Sequence, residues 1–170
     1  MKNLLYKEFT LSIHKFFYLL PILLAALIMI PNWIFLIVFM YFFWISVPQI
    51  YSAYLAQQDY DFTTVLPVKK SDIALSKGLA LILLELYHII LAVIVGIIHN
   101  LVYGSFNFFI DISPAFFGYA LIMYALFNIV FLPLYFKTAY HFGRPLIYGV
   151  IVATIFGLGL ELLTLLTVAR

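Results

Sequence analysis

Long apolar runs separated by short polar breaks dominate this sequence, at about 13–30, 34–56, 78–103, 115–136 and 146–168. A helix of about 20 apolar residues crosses the hydrocarbon of a bilayer. Inside lipid the backbone must satisfy its own hydrogen bonds, so five such runs in succession leave little choice but helices. The expected fold is therefore all-α: one polytopic transmembrane unit over residues 1–170, with no room for a sizeable soluble domain. Composition agrees, at 66% hydrophobic and 9% charged, where a soluble domain carries roughly 25% charged residues. A formal charge of +2 is too small to argue for a nucleic-acid partner. The absence of cysteine excludes disulfides and thiolate metal sites.

The amino terminus does not read as a cleavable leader, because no short apolar region ends in a small-residue cleavage site. Residues 2–15 place Leu5, Phe9 and Phe16 at roughly helical spacing, with Lys2, Lys7, His14 and Lys15 mostly elsewhere. That pattern fits a helix lying among lipid headgroups; a straight extension of the first span is the plainer alternative. Pro31-Asn32-Trp33 marks a tight turn, with Trp33 suited to an aromatic belt. Pro48, inside the second run, predicts a kink.

Orientation follows from the basic residues. With the amino terminus inside, Lys2, Lys7, Lys15, Lys69, Lys70, Lys77, Lys137 and Arg144 all fall on the cytoplasmic face, eight of the nine. Arg170, the ninth, would lie outside after a fifth crossing. That mismatch leads us to expect a sixth span beyond it; the alternative is a fifth span that returns within the membrane.

One polar interval stands out, from Gln57 to Ile73. It holds Asp59, Asp61 and Asp72, three of the seven acidic residues, together with Lys69 and Lys70. Its order is that of a folded element: two acids, a short amphipathic piece Phe62 to Leu66, Pro67 as a stop, then Ser71-Asp72 as a cap for the next helix. A segment this polar between two spans lies in water or against another protein, and we read 57–77 as a docking loop.

Polar and small residues also occur inside the spans. Glu85, His88, Ala92, Gly96 and His99 recur at steps of three and four, along one side of the third span. A carboxylate at that depth is rarely turned to lipid. A packing seam held by interhelical hydrogen bonds is the favoured reading, ahead of a proton or substrate relay. The fifth span repeats Gly149, Ala153 and Gly157 at a spacing of four, followed by Glu161. Such a row admits close approach of another helix, from this chain or from another subunit. Glu161 is expected near His99 in the outer third, and Asn128 with Pro133 reads as a hydrogen-bonded kink. An intramembrane metal-dependent hydrolase using Glu85, His88, His99 and Glu161 is the rival reading, although the zincin pattern H-E-x-x-H is absent. No phosphate-binding G-x-x-x-x-G-K-[ST] loop occurs, so ATP hydrolysis is not expected of this chain. No set of catalytic residues is assigned.

The opening Lys2-Asn3-Leu4-Leu5-Tyr6-Lys7-Glu8, the Leu66-Pro67-Val68-Lys69-Lys70-Ser71-Asp72-Ile73 loop that follows its acidic residues, and the order of spans resemble the bacterial type-2 ABC export permeases whose ATPase is a separate chain. The resemblance implies a six-span subunit with an interfacial amino-terminal helix and both ends cytoplasmic, in the inner membrane. It implies that Asp59, Asp61, Leu66, Pro67, Val68, Lys69, Lys70 and Asp72 receive the motion of a partner ATPase, which holds the ATP and Mg²⁺, while this chain carries no cofactor. It also implies pairing with a second permease subunit, identical or not, and export of a hydrophobic or amphipathic cargo. Only five spans are visible here, a departure from that pattern.

Overall fold

The computed structural model describes residues 2–104, 107–138 and 141–168, and Arg170 lies outside them. Helix α1 (Lys2–Lys7) runs into a wide π-helical turn over Glu8–Ser12, and the chain breaks at extended Ile13 before α2 (Phe16–Ala26). The two halves, Lys2–Ser12 and Phe16–Met29, meet at 80°. So sharp a bend sets α1 across the direction of α2, as expected for a helix that lies beside a span instead of prolonging it. Its orientation differs from the sequence reading, however. Lys7 and Glu8 are buried against the protein, whereas Tyr6 and Leu11 are exposed.

Asn32 adopts the left-handed conformation at φ 52°, a role that suits Asn directly after Pro31, and so turns the chain into the second span. That span, Leu36–Ala56, consists of α3 (Leu36–Tyr41), a π-helical turn (Phe42–Ser46) and α4 (Val47–Ala56). The sequence predicts a kink at Pro48; the span continues through it as one helix, with a widened π turn just before the proline. Pro48 itself sits in the first turn of α4, where its missing N–H costs least.

Gln58, left-handed at φ 50°, reverses the chain into α5 (Asp59–Val65). Leu66 is extended, the conformation that a following proline imposes. Helix α6 then runs unbroken from Lys70 to Tyr103, 34 residues or about 51 Å at 1.5 Å per residue. That exceeds a hydrocarbon core of about 30 Å by about 21 Å, so about four turns in all project beyond it. Lys69 occupies the cap position without a side-chain cap, and Ser71 and Asp72 lie within the first turn, not before it as the sequence pattern implied. The docking segment is thus helical except at the Gln57-Gln58 turn and around Leu66 to Lys69.

Helix α7 (Pro114–Lys137) starts where Ser113 Oγ accepts the Phe116 N–H at 3.4 Å, with Pro114 in the first turn. It packs along α8 (Gly143–Val168), the most extensive helix pair in the molecule. Gly149 and Gly157 explain the closeness. A Cβ at Gly149 would meet the Phe127 ring at 2.9 Å, and one at Gly157 would collide with Met40 Cε. Ala153 between them is fully buried. The small-residue row therefore makes an intrachain seam. Against it stands an aromatic stack: Phe43 on Phe127 with ring centroids 4.1 Å apart, then Phe131 and Tyr135 continuing the column. Much of the aromatic content is spent on this core.

Among the described residues four helices are long and apolar enough to cross a membrane, five if the bent first pair is one span. The chain is a multi-pass, all-α membrane protein. Its two ends differ in character. Lys7, Asp59 and Lys77 meet at one end, where Tyr135 borders the same cavity as Tyr54 and Lys77. At the other end the connection around Asn107 is tied down by Asn107 Nδ2 donating to the Trp33 carbonyl at 3.0 Å, and by the Ile110 N–H donating to Glu161 at 3.3 Å.

Candidate functional site

At the Lys-rich end, four charges from three segments are buried together. Lys7 comes from the end of α1, Glu8 from the π turn, Asp59 from the start of α5, and Lys77 from the second turn of α6. Lys7 Nζ lies 2.6 Å from Asp59 Oδ1 and 3.2 Å from Glu8 Oε1; Lys77 pairs with Asp59 Oδ2 and lies 3.5 Å from Glu8. The sum is two positive and two negative charges, which is what allows all four to leave water. Neutral groups complete the cluster. Lys7 donates to Thr63 Oγ1 at 3.1 Å, Ser12 Oγ donates to Asp59 at 3.1 Å, and Lys77 Nζ sits 3.7 Å over the Tyr54 ring of α4.

Asp59 is 5% exposed. Burial by itself raises its carboxyl, but the Lys77 charge, hydrogen bonds from Lys7 and Lys77, and the Lys7 charge together hold it below the ordinary aspartate value. The sequence reading grouped Asp59 with residues facing a partner. The structure instead points it inward, where it fastens α5 to α1 and α6.

The other predicted docking residues divide cleanly. Asp61, Pro67, Val68, Lys69 and Lys70 are exposed, while Leu66 and Asp72 are half-buried. Phe62 and Val65, at 60% and 85% exposure, add an apolar face that the residue list from sequence had omitted. Period alone could have flagged them: with Asp59 and Thr63 inward, Phe62 and Val65 share the opposite side of a helix with Asp61. Between this face and α1 runs a groove of about 620 Å³ walled by Lys2, Leu4, Leu11, Phe62, Leu66 and Pro67.

Deeper in the molecule, the polar positions of α6 are buried, but they do not converge. Glu85 Oε2 accepts a 2.6 Å hydrogen bond from Asn128 Nδ2 of α7. Asn128 therefore bridges two helices instead of supporting a local kink at Pro133. His88 Nδ1 lies 2.6 Å from the Tyr124 hydroxyl, its ring stacked on Phe42. His99 packs between the Phe35 and Tyr103 rings, and Glu161 takes the Ile110 N–H, so the expected contact between His99 and Glu161 does not form. Among the described residues no group of three or more His, Asp or Glu side chains is placed to hold a metal ion. The hydrolase alternative needs Glu85, His88, His99 and Glu161 around one ion, and the fold keeps them apart.

A family profile described as ABC-2 family transporter protein matches residues 3–168. No curated protein and no solved structure matches the chain.

Proposed function

Because the chain belongs to the ABC-2 transporter family, which makes it a membrane-embedded transport subunit served by an ABC ATPase, we propose that it is the permease of an exporter for hydrophobic or amphipathic cargo. In this reading the ATPase is a separate chain that holds ATP and Mg²⁺, and this chain carries no cofactor. The Lys-rich end faces the cytoplasm and the inner membrane is the setting. Two permease chains, identical or not, enclose the path.

The observation that carries the reading is the construction of the Lys-rich end. An exposed face made of Asp61, Phe62, Val65, Pro67, Val68, Lys69 and Lys70 is mounted on α5, and buried ion pairs fasten α5 to a helix that runs unbroken through the membrane. Apolar and basic groups exposed side by side suit a partner groove that is apolar at its floor and acidic at its rim. Pressure on α5 reaches α6 through Asp59 and Lys77, and α1 through Asp59 and Lys7, so the three segments move as one body. A rigid element seated in a partner is what transmission of a closing motion requires. Glu85, His88 and His99 then serve as α6 packing groups, and Gly149, Ala153, Gly157 and Glu161 fix α8.

Co-purification of an ABC ATPase with the wild-type chain, compared with a Phe62→Asp, Val65→Asp double variant, tests this assignment. Both side chains are exposed, so the variant is expected to fold, and its thermal unfolding in detergent checks that. Association weakened by at least about tenfold, equivalent to about 1.4 kcal/mol, is expected. Undiminished association and coupling would overturn it.

A further inference from the structure

The Glu85–Asn128 pair closes the floor of a groove of about 310 Å³ between α6 and α7. Its walls are Ile82, Leu86, Leu121 and Ile129, all exposed on the lipid-facing side, with Ile129 at 69%. The groove is open because α7 packs far more extensively on α8 than on α6, and Ala125 leaves a gap at the seam. Glu85 itself is only 3% exposed, yet one of its oxygens has no partner. Asn128 Oδ1 is also unpartnered. Two acceptors are thus left over at the base of an apolar slot, one of them on a carboxylate, and no Lys or Arg lines it. Glu85 lies eight residues beyond Lys77 on the same helix, about 12 Å along the axis. That depth belongs to the leaflet on the Lys-rich side.

We propose that this groove binds a lipophilic amine, a molecule with a protonated primary or secondary amine on an apolar body, entering sideways from that leaflet. An ammonium supplies the N–H donors that Glu85 and Asn128 lack, and its positive charge would favour the ionised form of the Glu85 carboxyl. A buried carboxylate and ammonium with a short hydrogen bond are worth more than neutral partners. The apolar body fits the isoleucine and leucine walls, and the volume is at the small end of ligand pockets. The inference rests on the transport reading above for its meaning as cargo recognition, and narrows that cargo to a cationic amphiphile.

Equilibrium binding of radiolabelled dodecylamine to the full chain in nanodiscs, without any ATPase, reads the site directly. A failed ATPase association would therefore leave this result standing, and the converse holds too. Saturable binding is expected, displaced by unlabelled dodecylamine but at least about tenfold less well by dodecanol or dodecanoate. Glu85→Gln keeps an oxygen for Asn128 but removes the charge and turns the spare acceptor into an N–H donor; it is expected to weaken binding by at least about tenfold. Ile129→Trp fills the slot from the lipid side without touching the polar floor, and is expected to abolish binding in a folded protein. Equal binding by Glu85→Gln, undiminished binding by Ile129→Trp, or equal displacement by dodecanol would overturn the proposal. So would cross-linking of Ile129→Cys between two copies that excludes the amine, since the groove would then be a contact between chains.

Discussion

Two buried polar regions of this protein are built on opposite principles. At the Lys-rich end, Lys7, Glu8, Asp59 and Lys77 balance one another, and each carboxylate faces two ammonium groups. Within the membrane, Glu85 shares a single hydrogen bond with a neutral amide and keeps an oxygen to spare. In the balanced cluster the Glu8 oxygens also lack a hydrogen-bond donor, but two ammonium groups offset the charge of each carboxylate, and its strength goes into joining α1, α5 and α6. The unbalanced pair joins α6 to α7 weakly and retains unused capacity. Charge neutrality separates a fastening from a binding site here, although both are buried and both draw on residues of α6.

Breaking the balance should have the largest effect. Asp59→Asn leaves two buried ammonium groups with one carboxylate, and is expected to destabilise the Lys-rich end by about 3–5 kcal/mol. Thermal unfolding in detergent, together with proteolysis of the 57–69 segment, measures it. Removing opposite charges together, as in Asp59→Leu with Lys77→Met, keeps the remaining Lys7 and Glu8 matched and is expected to recover most of that loss. If the double variant were as unstable as Asp59→Asn, charge balance would not be the organising principle.

Packing effects come next. Gly149→Ala drives a methyl into the Phe127 ring at 2.9 Å, with an expected cost of about 1–3 kcal/mol. The same change at Gly159, where an added Cβ meets nothing within 4 Å, should be neutral and serves as its control in the same unfolding assay. Asn128→Ala breaks the bond from α7 to Glu85 and should cost only about 0.6–2 kcal/mol, the range of interhelical hydrogen bonds in membranes. A loss as large as that of Asp59→Asn would erase the contrast between the two regions.

The smallest effect is that of pH. Because Asp59 holds its proton less tightly when folded than when unfolded, the unfolded chain takes up the proton first as pH falls. Its contribution is complete above the ordinary aspartate value of about 3.9 and disappears as pH drops through the lower folded value. Stability measured from pH 6 downward should stay level and then fall below about pH 4. The Asp59→Asn variant should lack this component.

The sequence made some of this plain and hid the rest, for physical reasons. Apolar run length is a local property, so the helices could be placed without knowing their neighbours. The lysine distribution likewise marked one end, and the polarity of 57–73 marked the segment now seen as α5 and the start of α6. The ion cluster was not legible, because Lys7 and Lys77 are 70 positions apart and each has a sufficient local explanation as a cytoplasmic-side lysine. That Asp59 faces inward was not legible either, since a polar loop gives no period from which to tell in from out until α5 is known to be helical. Likewise Asn128 beside Pro133 invites a local reading, while its actual partner, Glu85, sits 43 positions away on another helix. Periodicity did identify the buried face of α6, but it could not say which of those side chains would meet.

The central claim is that the exposed face of α5 receives the ATPase. The chain contains no cysteine, so Val65→Cys provides a single reactive thiol at the most exposed point of that face. Its labelling by a membrane-impermeant maleimide in inside-out and right-side-out vesicles, with and without bound ATPase, tests the claim most directly. Labelling in inside-out vesicles alone, suppressed when the ATPase is bound, is the predicted result. Labelling from the outer surface, or labelling from the inner surface that the ATPase leaves unchanged, would contradict it.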